Sequence, residues 1–469
     1  MSLRALWWFL AIALPVLASL IAKISTVDLA YQLRAGAEIL ASGRVPTTDT
    51  WTYTMASQPW FDQQWGAQVL LRLVESVGGW IGLAVSRALL VGLIFAGTTL
   101  IAIRRGLDAR TAAILSLLAF VVTAPALALR PQLLGMVCFV AVLLLVVDRR
   151  EHPRRLWLAP VIVAIWANLH GSFFLGPLVL GLAWLEDLHD HTAEARQTLA
   201  VAIISAVAAC LTPFGPLVWV YATGLSTNAG VTARVTEWQP TSIRDVPGLL
   251  FFASALAIVV LMARSERRVP WPTLAWLGVF FLIGVYAERG IAWWPIAAVT
   301  ATAGSLIPAM PGRVRTETVG MRRLNALVAG VVVLACLVAL PTGRAPLPGA
   351  LVSTDLASPA PPGLTASLRD LAQPGARLFN PQTWGSWFEY ALPDIKVTVD
   401  SRIEKTPAAV WDAYERVLAG QDGWQEQLTR WGVTHILVEA SQTDFRDRLE
   451  SAGWVAVYED ADGALLIPG

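Results

Sequence analysis

Charge is what this sequence has least of. Asp, Glu, Lys and Arg make up only 15% of its 469 residues, where soluble domains carry about a quarter. That shortage excludes an ordinary soluble globule and a disordered chain held open by charge. Cysteine is nearly absent: Cys138, Cys210 and Cys336 are the whole set. Each falls inside an apolar run, so they read as small packing residues, not as a disulfide framework or a metal cluster. There is no internal repeat of fixed period and no low-complexity tract. Nothing in the chain reads as a nucleic-acid surface, and no nucleic-acid partner is expected.

What is abundant is hydrophobic chain, 55% of all residues, with a mean hydropathy of +0.57. Apolar runs of about eighteen residues or more recur, long enough to cross a hydrocarbon core of roughly 30 Å. The chain is therefore read as a polytopic membrane protein. Its first run, "ALWWFLAIALPVLASLIA", follows Arg4 as a signal peptide would, but it is long and many more follow, so it reads as an uncleaved first helix. Eleven spans are expected, at about 5–24, 80–103, 110–129, 131–148, 156–170, 172–187, 197–213, 248–263, 271–287, 291–308 and 324–341.

The charges orient them. With the N-terminus inside, the clusters Arg104/Arg105/Arg110, Arg149/Arg150/Arg154/Arg155, Arg264/Arg267/Arg268 and Arg313/Arg315/Arg322/Arg323 all face the cytoplasm, as the positive-inside rule asks. An odd number of spans then puts the C-terminus outside. The expected division is a transmembrane domain over 1–341, a Pro/Gly/Ser-rich linker over 342–362 and an acidic α/β domain over 363–469. In that domain "IKVTVD" and "VTHILVEA" read as strands. Thr406-Pro407 reads as a helix start. "WVAVYEDADGALLI" reads as a hairpin around Asp462-Gly463. Within 1–341, the stretches 25–79 and 216–247 are long outer connections, and the first holds amphipathic helices suited to an interface. Elaborated outer loops beside plain basic inner ones place recognition or chemistry outside.

The stretches "DLAYQLRAGAEILASGRVPTTDTWTYT…QPWFDQQW", "RPQLLG", "WANLHGSFFLG", "TPFGP", "EWQP" and "FNPQTWGSWFEYALPDIKVTVDSRIE" carry a resemblance over nearly the whole length. The chain resembles the GT-C superfamily of polytopic membrane glycosyltransferases, and more narrowly a bacterial membrane-protein group assigned to it. The resemblance implies an all-α polytopic domain with a small extracytoplasmic α/β domain at its C-terminus. It implies a bacterial cytoplasmic membrane, membrane lipids as partners, a polyprenyl-phosphate sugar as donor, and a glycan, glycolipid or protein as acceptor. It also implies inversion at the anomeric carbon and a possible divalent cation, Mg or Mn, with no ligand set assigned. Where the related pattern has histidines, this chain has Gln32 and Gln63.

Asp28 is the expected general base, set just where the first span surfaces. A positioned carboxylate can take the acceptor hydroxyl proton while the lipid phosphate leaves. The plainer reading is a helix cap or an ion pair with Arg34. Asp49, in "PTTDTW", is a second catalytic candidate or a turn cap, and Asp62 is an acceptor-binding candidate. The leaving phosphate calls for cations at the outer interface, for which Arg130, Arg289, Arg87 and Arg234 are placed, with His170 beside them. The alternatives are helix-end anchors and, for Arg289, a local pair with Glu288. Glu237, Trp238 and Trp60 are candidate sugar contacts, since sugars stack on indole faces. In the last domain Asp400 and Arg402 end a strand and read as an intradomain ion pair. Trp384 and Trp387 read as docking the domain on the membrane part. Two other classes remain: a lipid or glycolipid transporter or flippase, and a non-catalytic anchor presenting the C-terminal domain. Against transport, the chain shows no pair of similar halves.

Overall fold

The computed structural model describes residues 1–226, 232, 234–266, 268–304, 318–344 and 351–469. Parts of the expected 216–247 loop, the 291–308 span and the 342–362 linker, with Arg267, Arg313 and Arg315, lie outside the described residues. The chain divides into two compact units.

The first unit comprises Met1–Ala22, Ala84–Thr227 and Val235–Leu340 and is helical. Every expected span has a helix within it. Among the described residues, seven helices are long and apolar enough to cross a membrane, and two shorter apolar helices, Ala195–Ala208 and Trp271–Tyr286, join them. The protein is thus a multi-pass membrane protein. Its helix starts follow local chemistry. Ser2 caps Leu3–Ile21 by accepting from the Ala5 amide. Asp108 caps Ala109–Thr123 and Asp245 caps Val246–Arg264 in the same way. Each satisfies amides that the first turn leaves without an intrahelical partner. Pro131 opens Pro131–Asp148 behind an extended Arg130, as a proline at the first helical position does. Two helix pairs are joined by tight 3-10 turns, Gly171–Phe174 and Glu288–Ala292, and these carry His170 and Arg289 to their edges. At the basic clusters, Arg149 is buried and bonds Asp187 twice, at 3.0 and 2.9 Å. His189 bonds its neighbour Asp190, so the "HDH" motif is engaged locally.

The second unit comprises Lys23–Leu83, Asn228–Arg234 and Pro341–Gly469. The stretch 25–79, read from sequence as an outer loop of the membrane part, thus lies in a compact unit with the C-terminal residues. Strands β1 (Ile24–Ser25) and β2 (Ala357–Ser358) pair in parallel. A five-stranded sheet runs β4-β3-β5-β7-β6, from β3 (Arg377–Phe379), β4 (Lys396–Val397), β5 (His435–Glu439), β6 (Trp454–Glu459) and β7 (Gly463–Pro468). The expected hairpin is β6–β7, antiparallel. "IKVTVD" contributes only two ladder residues, because the Thr398 amide turns to the Asn380 side chain. Beyond β4, Thr52 bridges Val397 in parallel, so the 47–60 segment extends the sheet's edge. Helices cover it around a core that includes Phe379, Tyr414, Ile436, Phe445 and Leu466. Trp387 is buried here and donates to Thr365 at 2.9 Å, while Trp384 is also buried.

Helix Thr26–Ser42 packs on the start of Trp65–Arg104 at Gly36, where an added Cβ would lie 2.2 Å from the Gln68 carbonyl oxygen. A Gly-to-Ala change in a helix ordinarily gains about 0.8–1.0 kcal/mol. Here overpacking against backbone costs about 1–3 kcal/mol, which reverses the sign. Gly36→Ala is expected to lower the thermal midpoint of the detergent-solubilised protein; an unchanged or raised midpoint would show that the crossing relaxes.

Candidate active site

In the first unit the structure gathers three sequence candidates, Arg130, Glu237 and Arg289, around one cavity of about 60 Å³, lined also by Gln132 and Glu288. The gathering has a backbone cause. The Thr241 amide bonds the Val285 carbonyl and the Glu288 amide bonds the Gln239 carbonyl, at 3.1 and 3.0 Å. The "EWQP" segment is thereby laid along the 284–289 turn. Gly284 permits this turn's packing, since a Cβ there would strike the Phe251 ring at 2.6 Å.

Arg130 Nη1 donates to Glu237 Oε1 at 2.6 Å. Arg289 Nε donates to Gln132 Oε1 at 3.1 Å, and its guanidinium lies 5.4 Å from the Trp238 ring centroid. The local pair between Glu288 and Arg289 is not what forms. Burial raises the Glu237 carboxyl, but Arg289 and Arg130 together overcome this and hold it below the usual carboxylate range. Glu288 is pushed up by burial and by Asp245 and Glu237. Apolar walls, including Val122, Pro125, Ala126 and Ile291, complete the cavity. Two guanidinium groups at an apolar-walled cavity are suited to an oxyanion on a hydrophobic carrier. The expected sugar contacts Glu237 and Trp238 are instead engaged with these arginines.

His170 is buried; its Nδ1 accepts from the Ser172 amide at 3.1 Å and meets Ser172 Oγ at 2.7 Å. Its turn sits against Gly135, where a Cβ would lie 2.7 Å from Trp166 Nε1. Arg87 is a correction. Its guanidinium, buried, donates to the carbonyls of Ser19 and Ala22. It caps the C-terminal end of Leu3–Ile21, as basic side chains do, and it does not line the cavity.

In the second unit, Asp28 lies half-buried in the first turn of Thr26–Ser42, where an acidic residue sits well against the helix dipole. Arg34 bonds Glu38 at 3.2 Å and the Glu389 carbonyl at 2.8 Å. Asp49 is buried and works as the turn cap, accepting from the Trp51 amide at 2.7 Å and the Thr52 amide at 3.2 Å. It also accepts from Lys405 at 2.6 Å and pairs with Arg402 at 3.3 Å. Arg402, 1% exposed, lies 4.2 Å from the Trp51 centroid and 4.6 Å from that of Trp60. Lys405 stands 4.6 Å from the Trp60 centroid. With its ring covered by two cations, Trp60 has no open face for a sugar, which corrects that expectation. The Asp400–Arg402 pair forms as expected, with Nε donating to Oδ2 at 2.8 Å.

The charges of this network balance. Burial and Asp400 hold the Glu389 carboxyl well above its usual range. Asp400 resists the effect of burial because Arg402 holds it down, to about 2. Two cations, Arg402 and Lys405, then face two anions, Asp49 and Asp400. Arg234 likewise serves a local role, pairing with Glu415 at 3.1 Å. Asp62 is buried and accepts from Gln68 at 2.6 Å; burial pushes its carboxyl up to about 7. Gln32 donates to Gln64 Oε1 at 2.9 Å. Asp49 is engaged by Lys405 and Arg402, and Asp62 by Gln68. Among the described residues no three His, Cys, Asp or Glu side chains form a group that could hold a metal ion.

Asp62 yields a pH test. Its folded value lies above the unfolded 3.8, so the neutral form is the one folding favours. Its contribution is full below about pH 3.8 and is lost as pH rises through about 7. Asp62→Asn is expected to remove that slope from the urea midpoint between pH 5 and 8. An identical slope in both proteins would assign it elsewhere. Arg402→Met strands Asp49 and Asp400, and breaking such a buried pair costs about 3–5 kcal/mol. Chemical unfolding followed by tryptophan fluorescence is expected to show a drop of that order.

No protein-family model and no curated protein matches the chain. Solved structures do. An oligosaccharyltransferase from Archaeoglobus fulgidus, tethered with an acceptor peptide, aligns with a TM-score of 0.59 at 11% identity, over 92% of this chain and 69% of its own. The arabinofuranosyltransferase AftD from Mycobacteria aligns with 0.57 at 19% identity over 100% of this chain, which spans 42% of AftD's length. ArnT from Cupriavidus metallidurans, bound to undecaprenyl phosphate, aligns with 0.51 at 15% identity over 98% and 97%. The chain shares the fold of these solved structures.

Proposed function

We propose that the protein is a membrane glycosyltransferase that moves a sugar from a polyprenyl-phosphate donor to a glycan, glycolipid or protein acceptor. The observation that carries this reading is the meeting of Arg130 and Arg289 at one apolar-walled cavity. The fold likeness supports it: ArnT was solved with undecaprenyl phosphate, and an archaeal oligosaccharyltransferase with an inhibitory peptide and a dolichol-phosphate. In this reading the chain crosses a bacterial cytoplasmic membrane eleven times, N-terminus inside, with residues 363–469 outside. Arg130 and Arg289 hold the donor phosphate, and His170 lies beside them. Asp28 takes the acceptor's hydroxyl proton. The acceptor oxygen then bonds the anomeric carbon as its bond to the phosphate oxygen breaks, with inversion, and polyprenyl phosphate leaves. Asp49 and Trp60 act through the fold of the 47–60 segment. No step is assigned to a metal.

Arg130→Ala and Arg289→Ala are expected to weaken undecaprenyl phosphate binding, since each removes a charge-assisted hydrogen bond worth roughly 1.5–3 kcal/mol. Retained affinity in both folded variants would return these arginines to packing. For Asp28→Asn, general-base catalysis of about 10²–10⁴-fold would be lost while donor binding survives. A purely structural Asp28 would only meet the helix dipole from the first turn, worth about 0.3–1 kcal/mol, so its loss would leave turnover near the parent rate. Sugar transfer and lipid binding, measured on the same preparation, separate the two.

A further inference from the structure

The cavity holds a group that neither the sequence reading nor the proposed roles use. Gln132 lines it and is 4% exposed. Its orientation is fixed by chemistry: Arg289 Nε–H can donate only to the amide oxygen, which it does at 3.1 Å. The amide nitrogen Nε2 is therefore the other terminus, buried and without a partner among the described residues. A buried N–H without an acceptor is unfavourable, and such a group in a folded protein calls for a specific explanation.

The second observation is Glu237. It is the anion that Arg130 now holds, at 2.6 Å, and it feels Arg289 as well. A carboxylate has two oxygens in one plane. A phosphomonoester has three terminal oxygens in a pyramid, enough to meet two guanidinium groups and one amide N–H together. With Glu237 and Glu288 in place, the cavity's two cations already face two acidic side chains. An incoming phosphate must compete with a carboxylate tethered beside it.

We propose that Gln132 is the third donor of the phosphate seat, and that the Glu237 carboxylate is its resident occupant, displaced by a lipid-linked phosphomonoester. This rests on the reading of Arg130 and Arg289 as phosphate ligands and deepens it. A tethered competitor lowers affinity for the donor and for the released polyprenyl phosphate alike, so it favours product exit. It also keeps the seat from filling with free phosphate, which gains nothing from the apolar walls.

The test is binding of undecaprenyl phosphate, and separately of inorganic phosphate, to the full chain in phosphatidylcholine nanodiscs, with thermal melts confirming the fold of each variant. Glu237→Gln is expected to tighten lipid phosphate binding roughly tenfold, about 1.4 kcal/mol. Gln132→Glu keeps the acceptor for Arg289 but replaces the N–H donor with an oxygen, and is expected to weaken binding roughly tenfold or more. Glu237→Gln that binds no better, or worse, makes Glu237 a brace for Arg130 and overturns its part. Gln132→Glu that binds as the parent removes Gln132 from the seat. Inorganic phosphate binding as tightly as the lipid overturns the lipid assignment. If Arg130→Ala and Arg289→Ala leave binding intact, the proposed function itself fails. If they weaken it while the Glu237 and Gln132 variants do not respond, only this inference falls.

Discussion

The second unit depends on one buried guanidinium. Arg402 lies against two indoles and is faced by Asp49, Asp400 and Glu389. A charge taken out of water is tolerable only when paired and hydrogen-bonded, and here the partners come from three separate stretches of chain. Asp49 belongs to the first loop, Glu389 to a helix before β4, and Asp400 to the segment after it. To satisfy Arg402, these stretches must be brought together. That requirement explains why Lys23–Leu83 shares a compact unit with the C-terminal residues. Burial and Asp400 raise the Glu389 carboxyl, since a third carboxylate charge beside Asp400 is disfavoured in a low-dielectric interior.

The first unit solves a related problem differently. Its cavity charges are partly buried and are satisfied across two short segments, the start of the helix at Pro131 and the turn at Glu288–Ala292. Backbone bonds between 239–241 and 284–288 set the distance between them. The cations are presented from rigid ends of helices, which suits a site that must hold a fixed geometry toward a small anion.

Much of this was legible in the sequence, for identifiable reasons. The helical, membrane character was legible because an apolar run of membrane length has few other readings. The hairpin β6–β7 was legible because alternation and Asp462-Gly463 are both local signals. Asp49 as a turn cap was legible for the same reason, and so was the pairing of Asp400 with Arg402. What local pattern could not show was pairing at long range. The bridge from Thr52 to Val397, the covering of Trp60 by Arg402 and Lys405, and the meeting of Arg130 with Glu237 join residues more than a hundred positions apart. Arg87 was misplaced because depth in a span does not tell which carbonyls a guanidinium can reach. Gln132 was passed over although it sits inside "RPQLLG", beside Arg130; an uncharged amide gives no signal until its neighbours are known.

The parallel bridge at Thr52 and the ion pairs of Asp49 have a consequence for the order of synthesis. A ribosome makes residues 23–83 first and residues 396–405 more than three hundred positions later. Until then, Asp49 has neither Lys405 nor Arg402, Trp51 and Trp60 have no cation against them, and strand β1 has no β2. Contacts of such long sequence separation form late, after the entropy of closing the loop has been met. The helix bearing Asp28 is anchored only when nearly the whole chain has emerged, so a nascent or truncated chain carries the membrane helices without a finished second unit.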